Sequence, residues 1–161
     1  MDFNGRTIMD LILWRHAEAI ELEMGGDDMD RHLTVRGERQ AQRMARWLDR
    51  MLPQGTRIFS SPAKRCEQTV LALGRRYKVR EELSPNGDAQ GLLELVQWPI
   101  AKNPVLVVAH QPFLGQTVAQ LMKTQSSECS FKKGAIWWIK TKKKEEQWVS
   151  SIYCVVPPET V

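Results

Sequence analysis

The sequence predicts an α/β fold with three layers, α/β/α, built on a mostly parallel central sheet that ends in a C-terminal antiparallel strand pair. Short apolar runs alternate along the chain with longer segments of helical periodicity. These runs are almost continuously apolar, which indicates strands covered by helices on both faces. Two further apolar, strand-like stretches close the chain with only a short charged segment between them, which favours an antiparallel pair.

The length of 161 residues suits a single domain spanning residues 1–161, because a chain of this size buries most of the surface that it exposes when unfolded. Apolar residues make up 42% of the chain and charged residues 26%, as in ordinary soluble globular proteins. Six tryptophans argue against disorder. We expect a monomer that folds without disulfides.

The first strand and the first helix are separated by an acidic loop. Residues 9–14 are a short apolar run that ends in charged residues, and residues 25–30 are acidic and contain glycine. Thr34 is a good N-cap, and apolar residues then recur at the i, i+3, i+4, i+7 spacing of a long amphipathic helix. Pro53 and Gly55 end this helix.

A second strand and helix follow directly. Residues 56–59 predict a short strand. Ser61 followed by Pro62 is a helix-start signal, with serine as the cap and proline in the first turn. This helix is expected to extend to about Leu73, just before a glycine.

The C-terminal half supplies the remaining elements. Residues 92–98 predict a short helix, residues 104–109 a second buried strand, and residues 112–122 a helix with one apolar face. Residues 135–139 and 148–155 form the expected antiparallel pair. The lysine-rich segment between them is interpreted as a solvated hairpin turn, so the net charge of +4 does not indicate a nucleic-acid partner.

Cysteine content and the N-terminal sequence predict a cytoplasmic location. Cys66, Cys129 and Cys154 are odd in number, form no CxxC pair and have no zinc-type spacing, so we interpret them as free thiols in a reducing compartment. The apolar stretch at residues 9–14 is too short for a signal peptide or a membrane span. No membrane partner is expected.

Three separate segments are predicted to meet at one edge of the sheet. Arg15 and His16 follow the first strand, residues 60–65 follow the second, and His110 follows the 104–109 strand. In such sheets the ligand site lies beyond the carboxyl ends of the strands, so these segments are expected to form one pocket.

The residues of this pocket favour a phosphoryl group. Arg15 and Arg65, with Arg31 joining from the preceding loop, match phosphate oxygens with bidentate hydrogen bonds, and an imidazolium at His110 adds a donor. Surrounding positive charge disfavours protonation of His16, which leaves it a ring lone pair for nucleophilic attack. Each residue taken alone is more often structural, and the hypothesis depends on the set.

Four motifs, in order, resemble those of the histidine phosphatase (phosphoglycerate mutase-like) superfamily. Residues 13–19 (LWRHAEA) are similar to its Arg-His-Gly signature, and residues 33–41 (LTVRGERQA) to its Leu-Thr-x-x-Gly-x-x-Gln-Ala segment. Residues 60–69 (SSPAKRCEQT) resemble Ser-Ser-Pro-x-x-Arg-x-x-Gln-Thr, and residues 107–112 (VVAHQP) resemble Val-x-x-His-x-Pro. The short chain and two further segments look like the SixA-type phosphohistidine phosphatases; the segments are residues 31–34 (RHLT) and 82–88 (ELSPNGD).

The resemblance implies that His16 becomes phosphorylated and that Arg15, Arg65 and His110 contact the phosphoryl oxygens, with Arg31 as a further contact. It also implies that the chain uses no metal and no organic cofactor. Ala17 stands where the family commonly has glycine, and we expect slight crowding near the phosphate as a result.

The nature of the leaving group is left open by the residues. An ester phosphatase needs a general acid, for which Glu18, Glu82 and Asp88 are the candidates. Glu18 is as well explained by pairing with a neighbouring arginine, Asp88 by a turn or helix cap, and Glu82 is the least improbable acid.

Phosphohistidine is an easier substrate because imidazole is a better leaving group than an alkoxide. The favoured hypothesis is therefore a phosphatase for a histidine-phosphorylated phosphotransfer protein, of the kind found in two-component signalling or sugar phosphotransferase systems. The alternatives are a phosphatase for small phosphate esters or other phosphoproteins, and a non-catalytic module that binds phosphoproteins.

Overall fold

The structure is a computed structural model that describes residues 7–161. The strands are β1 (Ile8–Arg15), β2 (Arg57–Ser60), β3 (Lys78–Val79), β4 (Val105–Ala109), β5 (Ile136–Lys144) and β6 (Gln147–Val156). The α-helices are α1 (Val35–Met51), α2 (Lys64–Leu71), α3 (Ala89–Leu95) and α4 (Phe113–Met122). None of the helices in this range is long and apolar enough to cross a membrane.

The strands form one sheet in the order β3-β2-β4-β1-β5-β6. β1 and β2 both pair in parallel with β4, and β3 pairs in parallel with β2. β5 runs antiparallel to both β1 and β6. The predicted α/β fold, mostly parallel with a C-terminal antiparallel pair, is therefore confirmed.

Both faces of the sheet are covered, which explains the continuous apolar runs. Along β1, Leu11 and Leu13 pack with the buried side chains of α3 and α4, whereas Ile12 and Trp14 pack with those of α1 and α2. The side chains of β4 divide between the two faces in the same way. A strand between two helical layers has no solvent side on which to place polar residues.

Helix α1 begins where the sequence predicts. Thr34 caps it by accepting a hydrogen bond from the Gly37 amide at 2.9 Å, and its buried stripe includes Ala41 and Leu48. Gly37 has a separate steric role, because a Cβ there would collide with the carbonyl oxygen of Glu18. The first turn of α1 can therefore lie directly against the loop that follows β1.

Helices α2 and α3 do not begin where the sequence predicts, and both end two to three residues earlier than predicted. Helix α2 begins at Lys64 with Ala63 at the cap position, so Ser61 does not cap it; the Ser61 hydroxyl instead accepts from the Ala63 amide at 3.2 Å, within a turn. Helix α3 begins earlier than predicted because Asp88 caps it by accepting from the Gly91 amide at 2.7 Å. In both places a local side-chain hydrogen bond fixes the boundary.

The lysine-rich segment belongs to the predicted hairpin, but the turn itself is shorter than expected. Lys140, Lys142, Lys143 and Lys144 all lie within β5, and only Glu145 and Glu146 form the turn. Both turn residues have positive φ, as in a tight two-residue hairpin. The ladder continues to the pair Lys144↔Gln147, where strand ends exposed to water accommodate charged side chains.

Candidate active site

The carboxyl ends of β1, β2 and β4 bring the three predicted segments together. Arg15 is in register with Ala109, and the His16 amide donates to the Ala109 carbonyl at 3.2 Å. The Ser61 amide donates to the Val108 carbonyl at 3.0 Å. The rings of His16 and His110 consequently lie 5.3 Å apart, centroid to centroid.

His16 is held in one tautomer, with a ring nitrogen that has no hydrogen-bond partner among residues 7–161. Its Nδ1 lies 2.7 Å from the carbonyl oxygen of Ala17, which can only accept, so Nδ1 carries the proton and the lone pair is on Nε2. The side chain is 7% exposed. Burial, reinforced by the charges of Arg65, Arg15 and Arg31, lowers the pKa of His16 to about 3 despite its bond to Ala17. His16 is thus neutral at neutral pH.

The loop after His16 is fastened by side chains whose contribution sequence reasoning missed. The Ala17 amide donates to Thr69 Oγ1 at 3.1 Å, and the Glu18 amide donates to Gln40 Oε1 at 3.0 Å. Gln68 likewise accepts from the Leu33 amide, in the segment before α1, at 2.7 Å. All three side chains lie within the motifs quoted above. The motifs themselves do not say which backbone groups these side chains contact.

Ala17, the departure from the family motif, packs in a small apolar cluster. It is fully buried there with Ala19, Leu33 and Ala41. The alanine side chain thus has an apolar environment of its own. Crowding near a phosphate stays a prediction.

His110 has both ring nitrogens engaged. Arg65 Nη2, which can only donate, lies 3.3 Å from Nδ1, so Nε2 carries the proton and donates to Ser61 Oγ at 2.8 Å. Burial lowers the pKa of His110 to about 3, and the neighbouring His16 and Arg65 act in the same direction. The expected imidazolium is therefore a neutral imidazole in this structure. The Cys66 thiol also lies 3.5 Å from Nε2, and burial raises its pKa to about 12.

The two arginines of the site are held by their terminal nitrogens. Arg15 Nη1 donates to the Phe131 carbonyl at 2.6 Å. Arg65 Nη1 donates to the Asp28 carbonyl at 2.7 Å, and Nη2 donates to its carboxylate at 3.0 Å. The Nε atoms of Arg15 and Arg65 are the buried side-chain nitrogens without a hydrogen-bond partner in the described part of the chain.

Asp28 is a site residue that the sequence analysis did not single out. Its second carboxylate oxygen accepts from Arg31 Nη1 at 3.0 Å, and Arg31 Nε is fixed by the Ile20 carbonyl at 2.7 Å. Burial acts to raise the pKa of Asp28, but the hydrogen bonds from Arg31 and Arg65 outweigh it and lower the pKa. The only sequence feature that pointed to Asp28 was the acidic loop at residues 25–30. That loop holds several aspartates, and composition does not distinguish among them.

The three carboxylates proposed as acids are engaged elsewhere. Glu18 accepts from Thr34 Oγ1 at 2.9 Å and pairs with Arg36. Glu82 pairs with Arg80 at 2.7 Å, and this hydrogen bond lowers the pKa of Glu82. Asp88 caps α3. The structure thus brings together His16, His110, Arg15, Arg65 and Arg31, but gives each of these carboxylates another contact.

The arrangement combines a neutral nucleophile with an anion site. Guanidinium groups and buried N–H donors stabilise a tetrahedral or trigonal oxyanion. Nε2 of His16 is available for attack on the central atom of that oxyanion. Within residues 7–161 no group of three or more His, Cys, Asp and Glu side chains is placed to hold a metal ion.

Comparison with known proteins identifies the family. Residues 11–93, just over half of the chain, match the model of the histidine phosphatase superfamily (branch 1). The chain is 32% identical over 130 residues to the phosphohistidine phosphatase SixA homolog of Haemophilus influenzae, covering 70% of this chain and 77% of that protein. It is 33% identical over 122 residues to phosphohistidine phosphatase SixA of Escherichia coli, covering 70% and 74%.

A solved structure agrees over nearly the whole chain. The protein histidine phosphatase SixA complexed with tungstate superposes with a TM-score of 0.74 at 27% identity, covering 94% of this chain and 99% of that one. The chain thus shares the fold of that protein. The chain belongs to the histidine phosphatase superfamily, branch 1, and is a SixA-type hydrolase with a histidine nucleophile.

Proposed function

We propose that this chain removes the phosphoryl group from a histidine-phosphorylated phosphotransfer protein through a phospho-His16 intermediate. The observation that carries the proposal is the pair of buried nitrogens, Arg15 Nε and Arg65 Nε, that lack a partner within residues 7–161. A buried donor without an acceptor costs about 1–3 kcal/mol, more when it is charged. A phosphoryl group bound next to His16 would supply acceptors to both.

The first half-reaction is an in-line displacement at phosphorus. The lone pair on His16 Nε2 forms the new N–P bond, while the bond from phosphorus to the substrate imidazole breaks and its electron pair stays on that nitrogen, which then takes a proton from solvent. Arg15, Arg65 and Arg31 stabilise the charge on the phosphoryl oxygens. A bound dianion also raises the pKa of His110, which favours protonation of Nδ1 and a further hydrogen bond.

The second half-reaction uses the same groups in the same place. Water attacks the phosphorus of phospho-His16, the P–Nε2 bond breaks, and the electron pair returns to His16 as inorganic phosphate forms. The Nδ1 bond to the Ala17 carbonyl, 2.7 Å long, supports the proposal because it keeps the same nitrogen available in every cycle.

The leaving group favours phosphohistidine over an ester. An alkoxide needs a general acid, and Glu18, Glu82 and Asp88 are held by Thr34, Arg80 and the Gly91 amide, respectively. Asp28 is ion-paired to two arginines, and its pKa is lowered by them. An imidazole leaving group reduces this requirement. Curated relatives named phosphohistidine phosphatase SixA support the same substrate class.

We place the reaction in the cytoplasm of the cell with a monomeric enzyme. All three cysteines are free, and the buried thiol of Cys66 suits a reducing compartment. A phosphotransfer protein of two-component signalling or of the sugar phosphotransferase system is the partner that this location would provide.

The test compares two substrate classes on one enzyme preparation. We expect kcat/KM for a phosphohistidine-bearing phosphotransfer domain to exceed that for p-nitrophenyl phosphate and glycerol phosphate by about 100-fold or more, a difference of about 2.7 kcal/mol. Rapid acid and alkaline quench should show acid-labile, base-stable phosphate on His16. Higher kcat/KM on the esters would overturn the proposal in favour of an ester phosphatase.

A further inference from the structure

We infer that Asp28 is a positioning residue that turns Arg65 so that one edge of its guanidinium group faces the bound phosphoryl group. The nature of the occupant rests on the proposed function. The positioning role itself follows from how Asp28 and Arg65 share their hydrogen bonds.

A guanidinium group offers two edges for bidentate hydrogen bonding, an end formed by Nη1 and Nη2 and a side formed by Nε and one terminal nitrogen. Asp28 occupies the end of Arg65, since Nη1 donates to its carbonyl at 2.7 Å and Nη2 to its carboxylate at 3.0 Å. A residue that binds both terminal nitrogens from two of its own atoms fixes the plane of the group.

The Nε atom of Arg65 is left for the ligand. Its Nε is buried without a partner in the described part of the chain, and Nη2 lies 3.3 Å from His110 Nδ1. The His110 ring in turn lies 5.3 Å from that of His16. The unpartnered Nε of Arg65 therefore belongs to a guanidinium group that contacts one of the two histidines, where the phosphoryl group is proposed to bind.

Asp28 also links a second arginine to the first. Its Oδ1 accepts from Arg31 Nη1 at 3.0 Å, while Oδ2 accepts from Arg65. One carboxylate thus lies between two guanidinium groups and binds both. Together with Arg15, the cluster carries three positive charges and one negative charge, which leaves two positive charges to complement a phosphoryl dianion. Without Asp28 the arginines would repel one another at close range.

The backbone holds Asp28 in place independently of the arginines. Asp28–Asp30 is a short 3-10 turn capped by Asp27, whose carboxylate accepts from the Met29 amide at 2.9 Å. The Asp28 carbonyl accepts from the Arg31 amide at 3.3 Å as well as from Arg65. A variant at position 28 thus keeps the carbonyl contact to Arg65 and loses only what the carboxylate provides.

The alternative is that the Asp28 carboxylate competes with phosphate for the arginines. The two roles predict opposite changes in the affinity for an anion. Removing a competitor strengthens anion binding, whereas removing a positioning residue weakens it. Tungstate, an oxyanion of phosphate-like geometry, distinguishes them without any need for turnover.

The experiment measures tungstate binding and kinetics for Asp28→Asn and Asp28→Ala. Asparagine has one side-chain oxygen, so it keeps at most one of the two arginine contacts, and alanine keeps neither. Because charge-assisted hydrogen bonds are stronger than neutral ones, we expect tungstate affinity to fall about 10-fold in Asp28→Asn and about 100-fold in Asp28→Ala. We expect kcat to fall as well as kcat/KM.

Asp30→Asn is the matched control, because it removes the same charge from the same turn at an exposed position. Its tungstate affinity should stay within about twofold of wild type, since surface charges contribute little. In the ¹⁵N spectrum of the wild-type protein with tungstate, rotation about the Arg65 Cζ–Nη bonds should be slow, and it should accelerate in the Asp28 variants but not in Asp30→Asn.

Unchanged or tighter tungstate binding by Asp28→Asn would overturn the inference, as would an equal loss in Asp30→Asn. Should Asp28→Ala fail to fold, Asp28→Asn, which keeps the size of the side chain, carries the test. If phosphohistidine turnover were absent while tungstate binding still depended on Asp28, the proposed substrate would be wrong and the positioning role would stand.

Discussion

The two histidines of the site differ in their hydrogen bonds although they share almost everything else. Both follow the ends of adjacent parallel strands, both are buried, and the pKa of each is lowered to about 3. His16 bonds through Nδ1 to the carbonyl of its own neighbour, Ala17, which leaves Nε2 free. His110 bonds through both nitrogens to side chains of the segment after β2, Ser61 and Arg65.

The difference suggests a division of labour that the proposed mechanism uses, in which burial sets the protonation state of each histidine and hydrogen bonding decides which ring nitrogen keeps a lone pair. A lowered pKa makes both imidazoles neutral, so it does not by itself distinguish a nucleophile from a supporting group. The free lone pair does. In the proposed mechanism His16 attacks phosphorus, whereas His110 keeps its orientation beside Arg65.

The strongest test of this comparison replaces each histidine by alanine. We expect His16→Ala to lose about 10⁴-fold or more in kcat, because no other group forms the covalent intermediate. We expect His110→Ala to lose about 10²–10³-fold, the usual effect of removing one stabilising donor. Rapid quench with labelled substrate should show phospho-His16 in His110→Ala and none in His16→Ala.

His32→Ala serves as the control, since His32 is exposed in the segment before α1. Its kcat should match wild type. Equal losses in His16→Ala and His110→Ala, with labelled phosphate on position 110, would reverse the assignment of the two roles.

The alternation of apolar strands with helices was sufficient to predict that His16 and His110 lie close together, for a reason of sheet geometry. Runs such as β1 and β4 are apolar on both faces, which marks them as central parallel strands, and the carboxyl ends of such strands lie at one edge of the sheet. His16 and His110 follow those ends in sequence. Their proximity is thus a consequence of periodicity together with sheet geometry.

The supporting contacts could not be predicted in the same way. Asp28 is one of several acidic residues in its loop, and only the three-dimensional path of that loop selects it for Arg65. Ser61 carries a genuine helix-start signal, yet the turn around Ala63 redirects its hydroxyl to His110. Local propensity describes neighbours in sequence, whereas these contacts span 37 and 49 residues.

The second prediction tests what the two histidines share. Each has a pKa of about 3 when folded and about 6.5 when unfolded, so the unfolded state binds more protons between these values. Their contribution to stability is therefore complete above pH 6.5 and is lost as the pH falls towards 3. We expect the free energy of unfolding, measured with urea, to fall between pH 7 and pH 5 by about 1–2 kcal/mol for each histidine.

His16→Gln and His110→Gln should each flatten this pH dependence by a similar amount, whereas His32→Gln should not. This result would show that His16 and His110 have similar pKa values although their proposed chemical roles differ. A pH dependence that neither variant changes would contradict the shared effect of burial.

The smallest expected effect comes from Ser61→Ala, which removes the acceptor of the His110 Nε2 proton. The ring keeps its contact to Arg65, so we expect kcat/KM to fall only about 10-fold, as for the loss of one buried hydrogen bond. Ser60→Ala is the matched control, because Ser60 is equally buried but donates to the Ser61 carbonyl at 2.9 Å. The ¹⁵N shifts of the His110 ring should change in Ser61→Ala alone. If Ser60→Ala lost as much activity as Ser61→Ala, the effect would reflect packing after β2, and the tautomer of His110 would not depend on Ser61.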